Sequence, residues 1–361
     1  MSVTDNQCVQ WLEHDQSPVR TAALELLSGS FSTNSRWCEA IFHAWDRFGT
    51  TDAFPEFPLL THLEIPTEIV PEAIERATRM VAGKPIIDRG CRSAGKLIEA
   101  ISVSSPNHFK EHLDRIADLK TASKIFFRVD IERMKHRVEL LEREPAIEPL
   151  AVWFHRDAPP DLPYGIYPHL EAGYLRGQAD DALRLGFEQL KSESQKPFVL
   201  EACFELASRY RLLGYETWFA DGLDEENTAI ADASAIALAR CRNDQVLSLI
   251  ADRFAGYSKS GQLRSIDVLR RSRLPKTPEL LRFLKPHAQG TSVRSALCVA
   301  EILQFDFAAL EDWLEALMVI DDSSLARIRP LLCLAGPLSL ELPESDRARA
   351  LHLVRTRVAV A

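Results

Sequence analysis

The sequence predicts an all-α protein built from stacked antiparallel helix pairs, and three observations carry that prediction. Ala, Leu, Glu and Arg are abundant, whereas only 15 of 361 residues are glycine and 8% are aromatic, a balance that favours helix over strand. Asp15 to Leu27 (DQSPVRTAALELL) sets Val19, Ala22, Ala23, Leu26 and Leu27 on one helical stripe, with Arg20, Thr21 and Glu25 elsewhere. Finally, Ile230, Leu263, Val293 and Leu325 open similar segments at intervals of 33, 30 and 32 residues, the period of a repeated two-helix unit.

Taken in order, the opening helix has both ends written into it. Ser17 is expected as N-cap, Pro18 follows with φ already set, and Gly29 is expected as C-cap. The small side chains of Ala22 and Ala23 let a neighbouring helix approach closely, so this helix belongs inside a stack. Ser35 to Pro58 holds Trp37, Phe42, Trp45, Phe48, Phe54 and Phe57, an aromatic helix followed by a Pro-broken loop. Pro66 to Ala82 reads as helix. Asp88 to Ile101 repeats the opening pattern, with Cys91, Ala94, Gly95 and Ile98 where Val19, Ala22, Ala23 and Leu26 stood. From Thr121 to Arg143, Phe127, Ile131, Met134, Val138 and Leu141 recur at helical spacing, which predicts one long amphipathic helix.

Pro145 to Pro168 contains six prolines and cannot be continuous helix. The expected organisation is therefore a helical lobe over 1–144, a Pro-rich break over 145–168 and a second helical lobe over 169–361. Trp153, Phe154, Tyr164 and Tyr167 at the break read either as interface anchors or as a plug between the lobes. Beyond it, Val293, Ala296, Leu297 and Ala300 match the opening copy closely, while Asp267 and Pro330 interrupt the third and fifth copies.

Through DQSPVRTAALELL, DRGCRSAGKLI and TSVRSALCVAEIL the chain resembles the HEAT-repeat family, in its short-period bacterial form, over roughly half its length. The resemblance implies an α-solenoid of antiparallel helix pairs with a concave binding face. It also implies ties between repeats by the turn Asp and the Arg after the Val, here Asp15 with Arg20, Asp88 with Arg92, and Arg294. The first copy is one residue short before its Val, and Cys91 replaces a Val. Residues 102–225 match least, and Tyr174 to Leu190 (YLRGQADDALRLGFEQL) carries the residue placement of half a tetratricopeptide repeat, so a tetratricopeptide-like middle stays open.

Composition excludes several classes. With 46% hydrophobic and 26% charged residues the chain is neither disordered nor fibrous. A net charge of -9 argues against a dedicated nucleic-acid binder. Seven dispersed cysteines without a CxxC read as reduced core thiols, which suits the cytoplasm. The start MSVTDNQCVQW has no signal-peptide character, and no apolar run is long enough to span a membrane.

Candidate chemistry is sparse. His108, Glu111 and His112 form HFKEH, an inverzincin spacing, but Phe109, Leu113 and Ile116 mark a buried face and Arg115 would repel a cation. Gly90 to Leu97 (GCRSAGKL) nearly satisfies a phosphate-binding loop, and Leu317 to Asp322 (LMVIDD) imitates its acidic partner strand. Leu97 replaces the metal-ligating hydroxyl, however, and no βαβ series is present. HEAT-like lysine hydroxylases use His-Glu pairs, and no histidine here precedes a Glu. HEAT-like lyases and alkylpurine glycosylases leave an enzyme on this scaffold as the alternative, without a residue cluster specific to either. No metal site and no cofactor are expected.

One region is basic. Arg264, Arg270, Arg271, Arg273, Lys276, Arg282 and Lys285 stand against only Asp267 and Glu279. Stacking would set them on adjacent ridges, a docking strip for an acidic protein or a phosphorylated ligand. The expected function is a protein-interaction or scaffold module, not an enzyme, with a protein partner and neither a membrane nor nucleic acid.

Overall fold

The computed structural model describes residues 5–31, 36–48, 65–82, 89–123, 129–143, 162, 164–188, 190 and 196–360. The secondary structure of these residues is helical throughout, with no strand among them. They form two compact units, Ser32–Gly186 and a larger one that joins Met1–Phe31 to Phe187–Ala361. The Pro-rich break expected over 145–168 lies mostly outside the described residues. In this division the opening helix groups with the far end of the sequence.

The smaller unit holds helices that can be numbered with the opening pair, α1 (Asp5–Trp11) and α2 (Ser17–Gly29), in chain order. These are α3 (Trp37–Phe48), α4 (Val70–Val81), α5 (Arg89–Val103), α6 (Pro106–Phe109), α7 (Leu113–Ser123), α8 (Ile131–Glu142), α9 (Tyr167–Leu175) and most of α10 (Asp180–Glu188). α4 packs along α5, α7 touches α4 and α8, and α9 packs on α8. Arg76 of α4 ties α3 in place: it donates to Asp46 at 2.7 and 2.9 Å and to Glu72 at 2.8 Å, and its guanidinium lies over the Phe42 ring.

A buried ion pair joins α8 to α9. The Arg137 side chain donates to both Glu171 oxygens at 2.8 Å, to the Ser102 carbonyl at 2.6 Å and to the Ser104 carbonyl at 2.7 Å. Tyr167 donates to the same carboxylate at 2.9 Å. Both charges are withdrawn from water, so the pair persists only because its polar atoms are this fully satisfied.

The larger unit continues with α11 (Pro197–Arg209), α12 (Glu216–Gly222), α13 (Thr228–Cys241), α14 (Asp244–Arg253), α15 (Lys259–Ser272) and α16 (Thr277–Leu284). It ends with α17 (Gly290–Gln304), α18 (Leu310–Val319), α19 (Asp322–Ile328), a 3-10 segment over Arg329–Leu334, α20 (Ala335–Leu338) and α21 (Glu344–Val360). α11, α13, α15, α17 and α19 each pack on the next to form one layer, and α12, α14 and α16 follow as a second. The repeat is an all-α solenoid of helix pairs, as its sequence period predicts.

Local chemistry sets its register. Asn227, Asn243, Ser258 and Asp321 cap α13, α14, α15 and α19 by accepting an early backbone N–H. Buried Gln262 spans repeats, donating to the carbonyls of Phe254 at 2.9 Å and His287 at 3.0 Å while accepting from the Gln289 N–H at 2.9 Å. Tyr257 donates to the Ala220 carbonyl at 2.7 Å. Gly222 permits α12 to approach α13, since a Cβ there would stand 2.7 Å from the Ser234 hydroxyl.

Three local expectations are corrected. Ser17 is the first helical residue and Gln16 precedes it as an N-cap without a side-chain bond, while Gly29 is still helical and Phe31 takes the left-handed position. The stretch 121–143 is not one helix: α7 ends at Ser123, and α8 restarts at Ile131 with Asp130 accepting from the Arg133 N–H. Within Tyr174 to Leu190, Gly177 at φ 71° stands between α9 and α10.

Candidate protein-binding face

The first-layer helices of the larger unit share one kind of ending. Arg211, Arg242, Arg273 and Phe305 stand one or two residues past α11, α13, α15 and α17, all left-handed, with φ of 50°, 46°, 47° and 51°. Phe31 past α2 is left-handed too, at φ 50°. A side chain in this conformation crowds its own carbonyl by about 1 kcal/mol, which is why glycine is usual there. Residues that keep a side chain at such a position are held by their surroundings.

For the arginines that holding is visible. Arg242 donates from Nε to the Ser272 carbonyl at 3.2 Å, satisfying an acceptor at the end of the next repeat's helix. Arg211 donates to the Phe31 carbonyl at 3.0 Å. These residues close an Arg-x-Arg motif, Arg209 to Arg211, Arg240 to Arg242 and Arg271 to Arg273, repeated at intervals of 31 residues. The motif is present in the sequence, at the helix ends, where the apolar pattern of the helix starts does not reach. Its first arginines also converge: the guanidinium carbons of Arg240 and Arg271 lie 5.0 and 5.6 Å from the centre of the Phe31 ring. Phe31 is fully buried, so these cation–π contacts are partly desolvated and worth about 0.5–2 kcal/mol each.

The rest of the opening segment is seated along the same layer. α2 packs against the 3-10 segment Arg329–Leu334, and the Cys333 thiol donates to the Pro18 carbonyl at 3.3 Å. Desolvation raises the pKa of Glu25, and the nearby charge of Arg270 opposes it. Arg20, fully buried, donates to the carbonyls of His14 at 2.6 Å and Asp15 at 2.9 Å, so the tie implied between Asp15 and Arg20 runs through main-chain oxygen. The opening segment therefore meets Arg211 at its Phe31 end and Cys333 at the start of α2. At the other end, α1 leaves a cavity of about 310 Å³ lined by Gln7, Gln10, Trp11, Phe307, Leu338 and Leu342.

The basic region runs along this layer and its neighbour, and six of its seven cations meet carboxylates. Arg264 lies 3.1 Å from Asp232, Arg270 and Arg271 each 2.6 Å from Asp267, and Lys276 2.9 Å from Asp244. Arg282 lies 3.3 Å from Asp306 and 3.4 Å from Asp312, and Lys285 2.7 Å from Glu301. Arg273 holds the left-handed position described above. Asp267, which interrupts the apolar pattern of the third copy, is the acid that orients Arg270 and Arg271. Burial pushes its carboxyl up, and the two guanidinium groups outweigh that and hold it below the ordinary value.

Other sequence candidates fall apart or lie elsewhere. His108, Glu111 and His112 share no continuous α-helix, since Lys110–His112 is a 3-10 turn after α6. Gly90 to Leu97 lies inside α5 and forms no phosphate-cradling loop. Among the described residues no group of three or more His, Cys, Asp or Glu is placed to hold a metal ion. No described helix is long and apolar enough to cross a membrane. Asp88, Trp153 and Phe154 lie outside the described residues, Arg294 is exposed, Tyr164 packs its ring against His136, and Tyr167 is buried on Glu171. All seven cysteines are free thiols, and burial pushes those of Cys203 and Cys241 up to about 12, which leaves them unreactive.

Neither a protein-family model nor a curated protein matches the chain. Among solved structures it is similar to Kap121p bound to Pho4p, with 11% identity and a TM-score of 0.35, and to Kap121p bound to Nup53p, with 12% identity and a TM-score of 0.34. Each alignment covers 98% of this chain and 40% of the other. An engineered protein aligns over 99% of both chains, with 12% identity and a TM-score of 0.28. Scores this low transfer neither fold nor function.

Proposed function

We propose that this chain is a protein-interaction module, a HEAT-like scaffold whose repeat stack grips helical protein segments on its inner face. The observation that supports this is the seating of residues 5–31: side chains from the ends of three successive first-layer helices meet at Phe31, which is remote from all of them in sequence. Such a site supplies shape, guanidinium groups and apolar contact but no paired acid and base, so binding rather than catalysis is its chemistry.

The basic region acts in this reading as part of the wall. Arg271 offers its face to an aromatic ring and Arg270 its charge to a carboxylate, so a partner with an acidic, aromatic segment fits, and its attraction fades with salt. Affinity capture with the full-length chain from native cells, followed by mass spectrometry, tests the proposal. We expect a protein retained in stoichiometric amount at 0.05 M salt and weakened several-fold by Lys276→Glu, whose melting curve should be unchanged because Lys276 is 68% exposed. A chain that retains no stoichiometric protein at low salt would overturn it.

A further inference from the structure

We infer that residues 5–31 are an exchangeable occupant of the inner face, and that the partner this face fits is a protein segment of the same chemistry. That segment is an amphipathic helix with an Ala/Leu stripe whose C-terminal end carries a left-handed aromatic residue. The inference deepens the scaffold reading and rests on it.

Connectivity comes first. Between Phe31 and Phe187 the chain builds a separate compact unit, so residues 5–31 are not adjacent in sequence to any repeat they touch. They are held by complementarity and raised in local concentration by the tether. The grip is also specific at one end. Phe31 is clasped through its carbonyl by Arg211 and through its ring by Arg240 and Arg271. At the α1 end, Gln7 and Trp11 line a cavity of about 310 Å³ together with Phe307 and Leu338. Finally, Arg211 accepts a left-handed backbone, which glycine would adopt without strain, and spends its side chain on Phe31.

The experiment keeps the whole chain and inserts a protease site between Ser32 and Ser35. After cleavage, a fluorescein-labelled synthetic peptide of residues 5–31 is added and followed by anisotropy. We expect saturable one-to-one entry of the label, with at least ten-fold weaker binding for the Phe31→Ala peptide and for wild-type peptide on an Arg240→Met, Arg271→Met chain. No entry of label over a day, or equal binding by both peptides, would overturn the inference. Hydrogen exchange on the uncleaved Phe31→Ala chain gives a second readout if the cleaved chain precipitates. Residues 5–31 should then lose protection while 228–304 keep theirs, and equal loss in both would show an integral core element. Peptide exchange without any captured partner would leave this face intact and sink only the scaffold reading.

Discussion

Single residues in this protein carry more than their apolar area. Phe31 combines a fully buried ring, two guanidinium faces and a carbonyl held by Arg211. Phe31→Ala in the intact chain is expected to cost about 3–5 kcal/mol, the range for a buried aromatic, measured by urea unfolding; a loss below 1 kcal/mol would mean that the ring is not clasped in solution. Arg137 makes the opposite case, because its worth lies in what its removal strands. Arg137→Met takes the cationic partner from the buried Glu171 carboxylate and is expected to destabilise by about 3–5 kcal/mol. The double variant Arg137→Met, Glu171→Leu should recover most of that loss. If the double variant is as unstable as the single one, burial of the charge is not the cause.

Elements answer to pairing and to pH. Ala23 is fully buried on α2, and Ala23→Glu would bury an unpaired charge, which should cost several kcal/mol. An unchanged melting temperature would show that α2 is not a core helix. The seam of α8 and α9 carries a pH dependence of its own. His136 and His169 pack edge to face with ring centres 5.5 Å apart. Burial lowers the pKa of both, with Glu139 raising His136 and Arg143 lowering it further, and with His136 lowering His169. An unfolded histidine binds its proton near pH 6.5. The unfolded chain therefore takes up protons first as pH falls below about 6.5, and stability declines until the lowered folded values are passed. Replacing both histidines by phenylalanine should flatten that decline between pH 7 and 5, as read by chemical unfolding. A slope that survives the double replacement would assign it to other groups.

At the scale of the whole molecule, the division into units makes a prediction that the order of the sequence does not suggest. Ala23→Glu lies near the N-terminus, yet α2 belongs to the unit that includes Phe187–Ala361. Hydrogen exchange should rise over 5–31 and over the segment 329–334 that α2 packs on, and stay unchanged over 89–142. Arg137→Met should do the reverse, because its partners all lie in Ser32–Gly186. Rises in the same places for both variants would mean that the chain opens as one cooperative body.

Helix content, the repeat period and the core stripes of α2 and α17 were settled by local pattern alone, since each depends on which residues lie three and four positions apart. Val19, Ala22, Ala23, Leu26, Val293 and Leu297 are all buried as the spacing requires. The Arg-x-Arg motif was also present to be read, at 31-residue intervals, although nothing in its spacing said what the guanidinium groups would face. Tertiary structure alone decided that Arg264, Lys276, Arg282 and Lys285 stand beside acids, because Asp232, Asp244, Asp306, Asp312 and Glu301 come from other helices and loops. It alone placed residues 5–31 with 187–361 and set Phe31 under Arg240 and Arg271. The physical reason is range. Periodicity reports contacts within a helix and between successive helices, whereas the packing of the opening segment brings Phe31 to Arg240 and Arg271, about two hundred positions away, and no local pattern records that distance.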